Sequence, residues 1–351
     1  MKTLVILITT AVCFISCKQH RVPEEPIGHF ENKRTLSVSQ IEELETWGIY
    51  KPTKIYKVDS LYVIQDNSDK EMVKIWDKKN QKVYPCIKKG NGPNEFLSIS
   101  SLQIINNELY FYDIMRKSIH KLRLADLPQI TIEECRKLKV VERPFIISFN
   151  QKQGSVLASG YFKKAWLNYY DSLNNTLSSI NFPEFEKTNN LSDSEKSVVY
   201  ISTLMAIKPD QTRIACATQK AGVISIFSVD SDLLQEIKRW EYFSPIAKKN
   251  TTTGVTFEKD SKVGFCDIKC DEQYIYILYS GRNRKDYGLK TNHCEHLLIY
   301  DWEGNPIKQL KLEKPLFSFD YDSKENKIIG IAYEPEGCIV EYHLNETNNK
   351  K

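Results

Sequence analysis

The chain has 351 residues, of which 41% are hydrophobic and 27% charged, a balance that excludes global disorder and a length that can bury a core without disulfide or metal staples. Its formal net charge of +4 is spread along the chain, so a nucleic-acid binder with a concentrated basic face is excluded as well. The 19 Tyr and 15 Phe outnumber the 14 Gly and 13 Pro, which leans towards β structure.

Residues 1–16 read as an address. A basic start at Lys2 is followed by an apolar run over 4–15, too short to cross a bilayer as a helix, ending at Ser16-Cys17. That ending resembles a bacterial lipobox, with Cys17 as the acylated residue, so the expected partner is a membrane reached through a lipid anchor. Residues 17–34 hold charged residues and prolines without apolar periodicity and are expected to be a flexible tether. The expected location is the bacterial cell envelope, as an outer-membrane lipoprotein. Its tail after Cys17 is basic rather than acidic, which by resemblance to surface-export tails favours the periplasmic side.

Residues 35–38 alternate polar and apolar and read as a strand. Residues 39–47 are expected to form two helical turns, with Ser39 as N-cap and Glu42 three residues on. Beyond them six hairpins follow in order. Their turns are Asp59-Ser60, Asn106-Asn107, a turn through Gly154, Pro209-Asp210, Asp271-Glu272 and Ser323-Lys324, each between two apolar runs. A third short strand follows each hairpin, and the second strands recur at intervals of 47 to 61 residues. Four-stranded antiparallel units at this spacing are β-propeller blades. The fold class is therefore all-β: a six-bladed propeller over residues 35–345 with a polar tail at 346–351. The sixth unit lacks an outer strand, and the strand at 35–38 is expected to supply it by pairing with 339–342, which would close the ring. A short surface helix is expected over 192–200.

The run Gly90-Asn91-Gly92-Pro93-Asn94-Glu95-Phe96 follows the outer strand of blade one, and Tyr279-Ser280-Gly281-Arg282 follows the second strand of blade five. Both resemble connections in the six-bladed propeller lipoproteins of Bacteroidetes, described as TolB-like or NHL-like. The resemblance covers residues 35–345 and implies the propeller fold and an envelope location, with no catalytic residues to carry over. Gly90 and Gly92 are expected to supply unusual backbone angles, Pro93 to stiffen the turn, and Phe96 to anchor it between blades.

Chemistry is sparsely signalled. Seven cysteines beyond Cys17 (Cys86, Cys135, Cys216, Cys266, Cys270, Cys294 and Cys338) cannot all pair and read as small buried hydrophobes. Cys266, Cys270, His293, Cys294 and His296 have the one metal-like spacing, but they alternate with core residues, and no metal or cofactor is expected. No Gly-x-Ser-x-Gly turn and no selected carboxylate pair indicates catalysis.

Topology offers more. Loops after the second strand of each blade share a face with the connections between blades, and that face commonly forms a binding funnel. It should carry Arg116, Tyr161, Phe162, Lys163, Lys164, Arg282, Asn283 and Arg284, with the long loop of blade five prominent. Cations and aromatics there suit an acidic small ligand or an acidic segment of an envelope protein. An envelope hydrolase or lyase acting on a glycan or anionic substrate, and a structural scaffold of an outer-membrane complex, remain as alternatives.

Overall fold

The computed structural model describes residues 25–344 apart from 69, 231, 232, 253 and 334. The expected signal peptide, Cys17 and the polar tail lie outside the described residues.

Six four-stranded antiparallel blades surround an axis. Their inner strands are Pro52–Val58, Ile99–Ile105, Arg143–Asn150, Thr203–Ile207, Phe265–Cys270 and Ser318–Asp322. Each unit read from the sequence is present, because each hairpin is set by residues a few positions apart. At the tight turns Asp59, Asn106 and Asn107 adopt the left-handed region that Asp and Asn tolerate (φ 49°, 52° and 62°). The buried core lies between adjacent blades. Phe96 is a clear case, packing edge-on against Phe111 of blade two, 5.0 Å between centroids, within a cluster that also holds Val63 and Ile75 of blade one.

Ring closure differs from expectation. The outer strand of blade six is Gln40–Glu43, which pairs antiparallel with Gly337–His343 in the register Gln40 to Glu341 and Glu43 to Cys338. The strand expected at 35–38 does exist, as Lys33–Leu36. It instead adds to blade five, parallel to Pro306–Leu316, with Leu36 opposite Leu312. The reason is burial. Leu36 is 2% exposed and needs a groove, whereas the closing strand is outermost and mostly solvent-facing, with Ile41 49% exposed. Gln40–Glu43 has no buried residue, and so no alternation to read. The same pairing overrides the helix expected over 39–47: only a 3-10 turn, Glu45–Trp47, forms. The expected helix at 192–200 is present as Asp193–Tyr200, where Ser192 and Glu195 form a capping box.

Residues 25–34, expected to be part of a flexible tether, are packed instead, whereas 17–24 lie outside the described residues. From Glu25 onward the chain is packed: Pro26–His29 is a 3-10 turn, and Phe30 is 2% exposed against Tyr300. Residues 25–43 thus strap blades four, five and six.

Candidate functional site

The inner strands of all six blades border an axial channel, and several of the side chains along it are charged. Lys54 of blade one donates to the Asp267 carboxylate of blade five at 2.7 Å and to the Cys266 carbonyl at 3.2 Å. The second Asp267 oxygen accepts from the Ser318 hydroxyl at 2.5 Å and the Phe319 N–H at 3.2 Å. Lys269, two residues along, lies 3.2 Å from the centroid of the Tyr56 ring and donates to the Ile55 carbonyl at 3.2 Å. Asp320 accepts the Lys57 N–H at 2.7 Å. Burial pushes the Asp267 carboxyl up, but Lys54, Lys269 and Ser318 outweigh it and hold it below the usual value. Burial raises the Asp320 carboxyl and lowers the Lys269 ammonium. These residues hold the inner strands together electrostatically.

Three adjoining cavities follow the axis, of about 310, 310 and 270 Å³. The first opens on the face of the blade connections. Its polar lining comes from three blades: Gln65 and Lys54 from blade one, Gln219 and Ser202 from blade four, and Asn292 from the long loop of blade five. Phe317, just before the inner strand of blade six, adds an aromatic wall. Among the described residues, the carboxamides of Gln65, Gln219 and Asn292 have no hydrogen-bond partner within the protein. Each can offer one acceptor and two donors to a molecule in the cavity. Lys220, beside Gln219, sits 5.4 Å from the centroid of the Phe257 ring, and burial lowers its pKa.

The residues expected at the site are on the expected face, but they do not act as one set. Phe162 is 1% exposed and belongs to the core cluster that contains Tyr112 and Ile147, because the chain dips inward immediately after the exposed Tyr161. Phe162 thus packs in the core rather than on the funnel surface. Arg116 lies 3.4 Å from Asp113, donates to the Glu95 carbonyl at 3.0 Å and covers the Phe96 ring, so it clamps the loop arriving from blade one. Arg282 is paired with Glu295 at 2.5 Å. Asn283 caps the short helix Arg284–Tyr287, its side chain accepting the Asp286 N–H at 2.9 Å. Tyr161, Lys163, Lys164 and Arg284 are exposed. None of the eight lines the axial cavities described above.

Apolar alternation along the blade strands does not point to the axial residues. The signal was present: Asp267 and Lys269 interrupt an otherwise apolar inner strand two residues apart, as Lys54 does in blade one. The metal-like set does not converge on one place. Cys266 and Cys294 are buried in blade five, while Cys270 lies at the far end of its strand with its thiol towards the Ile207 carbonyl. His296 hydrogen-bonds to Gln309.

The Gly-Pro loop works through close approach. Neither Gly90 nor Gly92 has positive φ, whereas Asn94 does (φ 59°). A Cβ on Gly90 would lie 2.1 Å from Glu95 Oε2, the oxygen that accepts the Gly92 N–H at 2.8 Å.

A family model described as TolB-like 6-blade propeller-like matches residues 29–324. No curated protein matches. Among solved structures, a Bacteroides fragilis protein described as exported is 14% identical with a TM-score of 0.52, over 89% of this chain and 98% of that one. Raptor of Chaetomium thermophilum is 12% identical with a TM-score of 0.51, over 93% of this chain and 30% of Raptor. At these identities the likeness is one of fold.

Proposed function

We propose that this chain, which belongs to the TolB-like six-blade propeller family, is an exported binding protein tethered to the bacterial envelope through an acylated Cys17, and that it holds a small acidic ligand at the axial mouth of its funnel face. The observation that carries the reading is the trio of unpartnered carboxamides, Gln65, Gln219 and Asn292, around a cavity beside Lys54. Carboxamides satisfy hydroxyl groups. Lys54 uses two of its three donors on the protein, which leaves one for a carboxylate. A cavity near 310 Å³ is at the small end of ligand pockets and suits a molecule the size of one carboxylated sugar.

The test is titration calorimetry with glucuronate and galacturonate, and with glucose as the neutral counterpart. A uronate is expected to bind, and Gln219→Ala or Asn292→Ala to weaken it at least about tenfold, the loss of one or two good hydrogen bonds, without a change in melting temperature. Absence of uronate binding, or binding indifferent to both substitutions, refutes this site. Mass spectrometry of the membrane-extracted protein tests the anchor through an acylated Cys17 peptide; an unmodified, soluble product cleaved elsewhere refutes it.

A specific observation also favours a partner protein on the same face. Leu97, Met115 and Val141, in its loops from blade one to blade three, and Tyr161, at the end of a strand of blade three, are exposed, Val141 at 99%, with Arg116, Lys163 and Lys164 nearby in the chain. Val141→Asp with Tyr161→Asp should then abolish capture of an envelope partner while uronate binding persists. Capture that survives both changes would count against this second surface.

A further inference from the structure

The loop between the second and third strands of blade five runs from Ser280 to His293 and is ordered by its own bonds. Asn283 caps the helix Arg284–Tyr287 and bridges to Lys262, and the Lys285 N–H donates to the Lys259 carbonyl at 2.8 Å. The Arg282 guanidinium stands 4.7 Å from the Tyr287 ring centroid. This scaffold presents Leu289 at 88% exposure and Tyr287 at 48%. Beside them Arg284, Lys285 and Lys290 are exposed and, among the described residues, have no ion pair. An ordered loop that holds a bare leucine among unpaired cations has the chemistry of a membrane interface, where apolar tips enter and cations meet headgroup phosphates.

A second observation concerns where the chain departs. Glu25 pairs with Lys262 and accepts from the Tyr279 hydroxyl. Lys262 is bridged to Asn283, and Tyr279 immediately precedes the loop, so the N-terminal strap begins at the loop's base. Cys17 is eight residues before Glu25, a reach of at most about 28 Å. An acylated Cys17 would keep this rim of the funnel face within that distance of the bilayer.

We propose that the blade-five loop is a second membrane contact, in which Leu289 and Tyr287 enter the interface while Arg284, Lys285 and Lys290 bind anionic phospholipid headgroups. The inference rests on the acylation of Cys17, whose short reach raises the loop's local concentration at the surface. Anchor and loop together supply the two signals that durable attachment takes.

The acylated protein is reconstituted into phosphatidylcholine vesicles containing phosphatidylglycerol, with brominated acyl chains as quencher. Fluorescence added by Leu289→Trp should be quenched. That added by Leu173→Trp, at an exposed leucine on the opposite face, should not. Vesicle-bound protein with position 289 unquenched overturns the proposal. In a second arm, residues 18–351, which keep every described residue, are sedimented with phosphatidylglycerol vesicles. Binding is expected, and Leu289→Asp with Arg284→Ala and Lys285→Ala should lower it at least about tenfold. No binding, or binding unaffected by the substitutions, overturns the loop's role. An unmodified Cys17 peptide would refute the anchor alone and leave the second arm to decide.

Discussion

Lys54 and Asp267 meet at 2.7 Å from blades one and five, which are not neighbours in the ring, so one ion pair ties together inner strands with blade six between them. The Asp267 side chain is 5% exposed and Lys54 26%, so the pair is largely withdrawn from water. Removing one partner leaves an uncompensated charge, which costs far more than the pair contributes. Asp267→Ala is expected to lower unfolding stability by about 3 kcal/mol. Lys54→Met combined with Asp267→Ala should cost less than the sum of the two single changes. Chemical denaturation of the two single variants and the double variant measures the coupling, and strict additivity would show that the pair is not a unit.

A pH dependence follows from the buried carboxylates. Burial raises the Asp66 carboxyl, but the Lys74 ammonium at 2.8 Å, the Ser68 hydroxyl and the Lys51 N–H outweigh it, and its pKa ends below the usual value. Asp267 is lowered in the same way. A depressed carboxyl contributes stability that is present above its unfolded pKa, about 3.9, and lost as pH falls through the folded value. The contribution of these two carboxyls should therefore be level near neutrality and be lost below about pH 4. Asp66→Asn should destabilise at pH 7 and flatten that fall. Denaturation midpoints at pH 7 and pH 3 compare the two proteins, and an unchanged slope would refute the assignment.

The N-terminal strap should matter where it is buried. Phe30→Ala empties a site against Tyr300 and is expected to cost about 3–4 kcal/mol. Ile41→Ala, on the closing strand but 49% exposed, should cost less than about 1 kcal/mol. Thermal melts of both variants check the contrast, and equal effects would mean that the strap contributes only its backbone.

Close approach in the Gly-Pro loop predicts non-additivity. Gly90→Ala drives a Cβ into Glu95 Oε2 and displaces the carboxylate from the Gly92 N–H, at a cost of about 1–3 kcal/mol. In a Glu95→Ala background the same change should cost less than about 1 kcal/mol, since the clashing atoms are gone. A double-mutant cycle with no coupling would place the strain elsewhere.

The sequence by itself determined the blades. Each hairpin depends on apolar runs and a turn within some fifteen residues, and Ser192 with Glu195 likewise marks its helix start locally. What only the tertiary structure decided lies between distant residues. Gln40–Glu43 closes blade six some 300 residues from its partner, and with no residue buried it carries no apolar stripe to reveal it. Phe162 and Tyr161 are chain neighbours with opposite fates, because burial depends on where the neighbouring strands stand. The axial ion pair and the three free carboxamides arise from strands and loops of separate blades, so no spacing along the chain encodes their meeting. Local backbone preference and turn chemistry act over a few residues and are written in order along the chain. Convergence on an axis is a property of the closed ring, and it exists only once all six blades are packed.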